Sequence, residues 1–127
     1  MRLYLGDPAY RVLVARRPGS EDLAGFVIYR AGGGEAEILS LAVAPDARRK
    51  GIASLLLRAA RDDLLSCNIE RIVLEVGEFN RAARALYGGL GFAEVGRRPD
   101  YYQSAPGEPR QDGLILACLL RSAGTGE

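Results

Sequence analysis

One residue placed to do acid–base chemistry stands out in the stretch RIVLEVGEFN, residues 71–80. Glu75 sits there inside the apolar run Ile72, Val73, Leu74 and Val76. That run predicts a strand buried on both faces, as in the covered sheet of an α/β unit. A carboxylate in such a strand is costly to bury unless a cation pairs with it or a reaction uses it. The chain has no histidine. Ser-His and Cys-His catalysis and most zinc sites are therefore excluded, and no metal site is expected. Proton transfer falls to carboxylates, tyrosines, lysine or backbone.

Tyr87 is the companion of Glu75. In NRAARALY, residues 80–87, Asn80, Ala83 or Arg84, and Tyr87 share one helical face. A short loop joins this helix to the Glu75 strand, so Glu75 and Tyr87 can face one cleft. A carboxylate in apolar surroundings is pushed up and becomes a better base. A phenol, reference pKa about 10, can return a proton to a thiolate of reference pKa about 8.5. The plainer alternatives are an ion pair for Glu75 with some arginine and a core position for Tyr87.

A second feature is RRKGIAS. Arg48, Arg49 and Lys50 precede Gly51, where a helix is expected to begin. Helix N-termini carry partial positive charge and unpaired N–H groups, so three cations there have the wrong sign for the dipole. An anion such as a pyrophosphate would reconcile them, with Gly51 and Ala53 permitting close approach. A solvated basic turn is the alternative.

The elements that must hold these residues follow from the periodicity. YRVLVARR, LAGFVIYR and AEILSLAV predict an antiparallel meander, the last strand ended by Pro45. From Gly51 to about Ser66 the apolar residues Ile52, Leu55, Leu56, Ala59, Ala60 and Leu64 recur at helical steps. RIVLEV is the next strand. Asn80 is an N-cap for a short helix that the glycines after Tyr87 stop. FAEVGRR and DGLILACLL are two final strands. The fold class is α/β with a mixed sheet, and the 127 residues form one domain with a flexible tail over residues 121–127.

Composition excludes other classes. Hydrophobic residues make up 48% and charged residues 26%, which fits a globular chain, neither disordered nor fibrous. A net charge of +1 argues against a broad nucleic-acid or membrane surface. No apolar run approaches the roughly 20 residues of a membrane helix, and the N-terminus lacks a signal-peptide core, so a cytoplasmic location is expected. Cys67 and Cys118 have neither metal nor disulfide-framework spacing.

LSLAVAPDARRKGIASLLLRAA and IVLEVGEFNRAARALYGGLGF together resemble the GCN5-related N-acetyltransferases. The cofactor motif of that family is Q/R-x-x-G-x-G/A, and Arg48-Arg49-Lys50-Gly51-Ile52-Ala53 matches it in full. LEV, LY, LGF, RRPDYY and DGLILACLL are similar to the RimI type within it, the ribosomal-protein alanine N-acetyltransferases. The resemblance spans about residues 10 to 120. It implies acetyl-CoA as donor and a V-shaped opening between AEILSLAV and RIVLEV. Backbone groups of Leu41, Ala42 and Val43 would bind the acetyl-pantetheine arm. Arg49, Lys50, Gly51, Ile52, Ala53 and Ser54 would cradle the pyrophosphate, with Arg48 at the first motif position. Asn80 would hydrogen-bond the cofactor, Glu75 would be the base and Tyr87 the acid.

The family begins with a strand and two helices ahead of the meander, and only about ten residues precede the meander here. That strand and those helices, which wall one side of the acceptor groove, are expected to be missing. The expected acceptor is a protein N-terminal α-amine, such as that of a ribosomal protein. The alternatives are a small-molecule amine such as a polyamine or an antibiotic, or a non-catalytic acyl-CoA-binding module. A homodimer could cover exposed sheet edges.

Overall fold

A computed structural model of the chain describes residues 2–5, 10–102 and 105–120. Its elements are β1 (Arg2–Leu5), β2 (Tyr10–Arg16), β3 (Leu23–Gly32), β4 (Glu35–Val43), α1 (Ile52–Ser66), β5 (Arg71–Gly77), α2 (Arg81–Gly89), β6 (Ala93–Tyr102) and β7 (Gln111–Leu119). A short 3-10 turn, Pro45–Ala47, links β4 to the basic segment. The strands form one sheet in the order β1-β2-β3-β4-β5-β7-β6. Every neighbouring pair is antiparallel except β4 and β5. The tail expected over residues 121–127 lies outside the described residues. No described helix is long and apolar enough to cross a membrane.

Two expectations are corrected. The N-terminal strand is present: β1 pairs with β2 from Arg2↔Val14 to Leu5↔Arg11. Residues 6–9 separate the two strands, too few for the two helices of the family pattern. Arg2–Leu5 gives little sequence signal because four residues carry only two turns of the strand alternation. The second correction concerns β5. Ile72, Leu74 and Val76 are buried, while Val73 and Glu75 are only half-buried. Helices α1 and α2 pack on one face of the sheet, and Glu75 points to the other.

Helix α1 buries Leu56, Leu57, Ala60 and Leu64 against β2, β3 and β4. It ends as its sequence dictates. Asn68 takes the left-handed conformation, φ 63°. The N–H groups of Asn68 and Ile69 donate to the carbonyls of Leu65 and Leu64, closing the last turn over the buried Ile69. Gly25 on β3 lets the helix and β4 come close: a Cβ there would sit 2.7 Å from the Ala42 carbonyl oxygen and 3.3 Å from Ile52 and Leu56. Beneath the helix the fully buried Tyr29 donates its hydroxyl to Asp63 Oδ2 at 2.6 Å, and Arg11 Nη1 reaches the same oxygen at 2.6 Å.

Tyr29→Phe should therefore cost about 1–2 kcal/mol, because a hydrogen bond to a charged acceptor is lost while Arg11 stays paired. The midpoint of urea unfolding, at unchanged m-value, measures it.

Candidate active site

The parallel ladder between β4 and β5 is short. Glu35↔Arg71, Ala36↔Ile72 and Glu37↔Val73 pair, and beyond them the strands separate. β5 instead follows β7 along its whole length, from Arg71↔Leu119 to Gly77↔Gly113. β4 stays with β3, and its register slips at Leu39, which lies between the pairs Tyr29↔Ile38 and Ile28↔Ser40. A bulge bends the strand that carries it. The strands open around a cleft of about 300 Å³. Ile38, Leu39, Ser40 and Leu41 line one wall, Leu74 to Gly77 the other, and Asn80, Ala83 and Tyr87 the end.

The opening frees backbone groups. Ala44 N–H donates to the Ala24 carbonyl of β3. In an antiparallel ladder every second residue turns its polar groups to the same neighbour. Ala42 accordingly faces β3, while Leu41 and Val43 face the side that β5 has left. The Val43 carbonyl accepts from Arg48 Nε at 3.2 Å.

The basic segment follows. Arg49 and Gly51 have left-handed backbones, φ 64° and 78°. Left-handed residues alternating with others turn successive N–H groups to one side, the geometry of an anion nest. Gly51 is the N-cap of α1 and offers no side chain to cap it, and the first turn holds no acidic residue. A Cβ on Gly51 would meet nothing, so glycine is needed there for its φ alone. Arg48, Arg49 and Lys50 are exposed, and Ile52, Ala53 and Ser54 are half-buried. Arg17 anchors the preceding turn through Asp46 at 2.7 Å and holds that carboxyl below its ordinary range. An unfilled helix N-terminus of this kind fits a pyrophosphate.

Glu75 and Tyr87 reach the cleft from opposite faces of the sheet. Glu75 Oε1 lies 3.4 Å from Arg98 Nε, and Oε2 is buried without a hydrogen-bond partner among the described residues. Tyr87 is buried edge-on to Phe92, ring centroids 5.7 Å apart. Burial pushes its hydroxyl above the ordinary tyrosine value, so it carries its proton at neutral pH. Asn80 caps α2: its Oδ1 accepts from Ala83 N–H at 3.1 Å, which leaves the amide NH₂ to donate.

The loop from β5 to α2 is held by residues without a sequence signal. Buried Gln111 accepts from Phe79 N–H at 2.6 Å and fills the space a Cβ on Gly77 would need. Glu78 N–H donates to the Asp112 carbonyl, Asp112 N–H donates to Glu78 Oε1, and Arg97 reaches both carboxylates. Gln111, Leu39, Ser40 and the partner of Glu75 were not legible as site residues. A lone polar residue ahead of an apolar strand, or one bulged residue within a strand, leaves no periodic trace.

A mixed sheet split at its parallel pair, with a free helix N-terminus beside the split, is the architecture of a transferase that binds an acyl-CoA. The chain belongs to the acetyltransferase (GNAT) family, whose model matches residues 1–92, and that family uses acetyl-CoA. It is 34% identical over 116 residues to the ribosomal protein bS18-alanine N-acetyltransferase of Salmonella typhimurium, covering 91% of this chain and 77% of that one. Identity to the Escherichia coli K12 protein of the same name is 38% over 95 residues, 75% of this chain and 63% of that one. The crystal structure of the ribosomal-protein-S18-alanine N-acetyltransferase from Escherichia coli superposes with TM-score 0.85 and 32% identity, covering 96% of this chain and 76% of that one.

Two predictions arise from this geometry. Gln111→Ala leaves the Phe79 N–H without its acceptor and should cost about 1–3 kcal/mol, read from urea unfolding. Tyr29 and Tyr87 are both pushed above the ordinary tyrosine value, chiefly by burial. Their folded pKa lies above the unfolded value of about 10, so the stability they contribute is intact below that pH and is lost as pH rises through the folded value. Ultraviolet titration should show both ionising above the ordinary tyrosine value, and Tyr87→Phe should remove one of these late steps.

Proposed function

We propose that this chain transfers the acetyl group of acetyl-CoA to a protein N-terminal α-amine. The observation that carries the reading is the shared cleft: Glu75, whose buried Oε2 has no hydrogen-bond partner among the described residues, and protonated Tyr87 both line it. The acceptor class is supported by the bS18-alanine N-acetyltransferases among its relatives.

In this reading the exposed cations and free N–H groups from Arg49 to Ser54 take the pyrophosphate. Arg48 holds Val43 through Nε and turns its remaining guanidinium N–H groups outward. The C=O of Leu41 and the N–H of Val43 bind the pantetheine arm in the way a β-strand would. Asn80 donates its amide to the same arm.

The acceptor α-amine has a reference pKa near 8 and is largely charged at neutral pH. Glu75 takes a proton from it through Oε2, directly or through one water. The neutral nitrogen then attacks the thioester carbonyl, a C–N bond forms and the C–S bond breaks. Leu41 N–H polarises that carbonyl oxygen. Tyr87 gives its proton to the leaving sulfur and regains one from the nitrogen, which sheds its second proton as the amide forms, and the proton on Glu75 returns to solvent. Most of the acceleration comes from holding amine and thioester in line.

Glu75→Gln and Tyr87→Phe should each lower kcat by about 10²–10³ with acetyl-CoA affinity within a few-fold of the parent. Thiol release with a peptide bearing a free N-terminus measures the first, and calorimetry the second. Mass spectrometry of a peptide library incubated with acetyl-CoA reports the acceptor. Full activity in both variants, or failure to bind acetyl-CoA at millimolar concentration, overturns the reading.

A further inference from the structure

Glu75 presents its two carboxylate oxygens unequally. Oε1 lies 3.4 Å from Arg98 Nε, and Oε2 is buried with no hydrogen-bond partner among the described residues. Arg98 belongs to β6, two strands away from β5 in the sheet, with β7 between them. Register explains the reach. Arg98 stands opposite Gly113 of β7, and Gly113 stands opposite Gly77 of β5, on the sheet face that carries Glu75. Gly113 has no side chain to stand between the arginine and β5, while the space beside Gly77 is filled by Gln111. On its other side the guanidinium lies over the Tyr101 ring, 5.0 Å from the centroid. Arg98 is thus held by an aromatic face and a carboxylate, while its side chain is 54% exposed. A pair so exposed adds little to stability.

We infer that Arg98 is a positioning residue for Glu75: it holds Oε1 and so presents Oε2 to the acceptor amine. The inference rests on Glu75 being the base. An ungripped carboxylate rotates about its terminal torsion, which is broad and two-fold. Arg98 restricts that rotation, and Tyr101 restricts Arg98.

The test is a double-mutant cycle read in kcat and KM, with the peptide acceptor and acetyl-CoA. Arg98→Leu should lower kcat about tenfold, with the KM for acetyl-CoA and the thermal midpoint unchanged. Arg98→Lys, which keeps a charged donor, should recover most of that loss. In a Glu75→Gln background Arg98→Leu should cost nothing more, because the residue acts through the carboxylate. Full kcat in Arg98→Leu beside a slow Glu75→Gln overturns the role of Arg98 and leaves the base assignment standing. So do losses that multiply in the double variant. Full kcat in Glu75→Gln removes the base assignment, and the inference with it.

Discussion

Everything at this site depends on a parallel ladder that lasts three residue pairs. Had β4 and β5 paired to their ends, the backbone groups of Leu41 and Val43 would be spent within the sheet, and nothing could pass between the strands. Each strand instead keeps its antiparallel neighbour: β3 for β4, β7 for β5. The bulge at Leu39 bends β4 away at the cost of one ladder position. Unpaired backbone groups are tolerated only where water or a ligand satisfies them. An opening of this kind is therefore a binding feature by its own energetics. The two helices begin at the carboxyl ends of the separated strands, so both positive dipole ends face the gap. α/β sheets place ligands in the same way, outside the carboxyl ends of strands that diverge.

Against that frame Glu75 is less anomalous than its neighbours in sequence suggest. Ile72, Leu74 and Val76 point into the helix-covered face, and Glu75 points away from it. Its charge is partly solvated and partly offset by Arg98. What it retains of the cost of burial is concentrated on Oε2, the oxygen with no hydrogen-bond partner among the described residues. An unsatisfied acceptor is destabilising in the free protein and becomes useful when a cationic donor arrives. Tyr87 answers from the other face. Its burial keeps the proton in place, and the cap at Asn80, with the Gln111 contact to Phe79, fixes the helix that carries it.

Much of this was legible in the sequence because it depends on local rules. The helix from Gly51 to about Ser66, the Asn80 cap, the break after Tyr87 and the meander all follow from spacing and end signals, and the structure has them. The anion-ready turn was legible from three cations and a glycine. Burial of β5 on both faces was not the outcome, because a continuous apolar run says nothing about which faces helices will cover. β1 was missed because four residues are too few to show a period.

The sequence by itself determined which residues have side chains suited to the proposed chemistry, since charge, hydroxyl and helical phase are properties of residues and near neighbours. It also determined where each helix begins and ends. Only the tertiary structure decided which oxygen of Glu75 lacks a partner among the described residues, that Arg98 reaches the other across β7, and that Leu41 and Val43 rather than Ala42 turn their backbones to the gap. Those facts depend on register and on the divergence of two strands far apart in the chain. Such alignments are set by the packing of the whole sheet, and no local stretch of sequence encodes them.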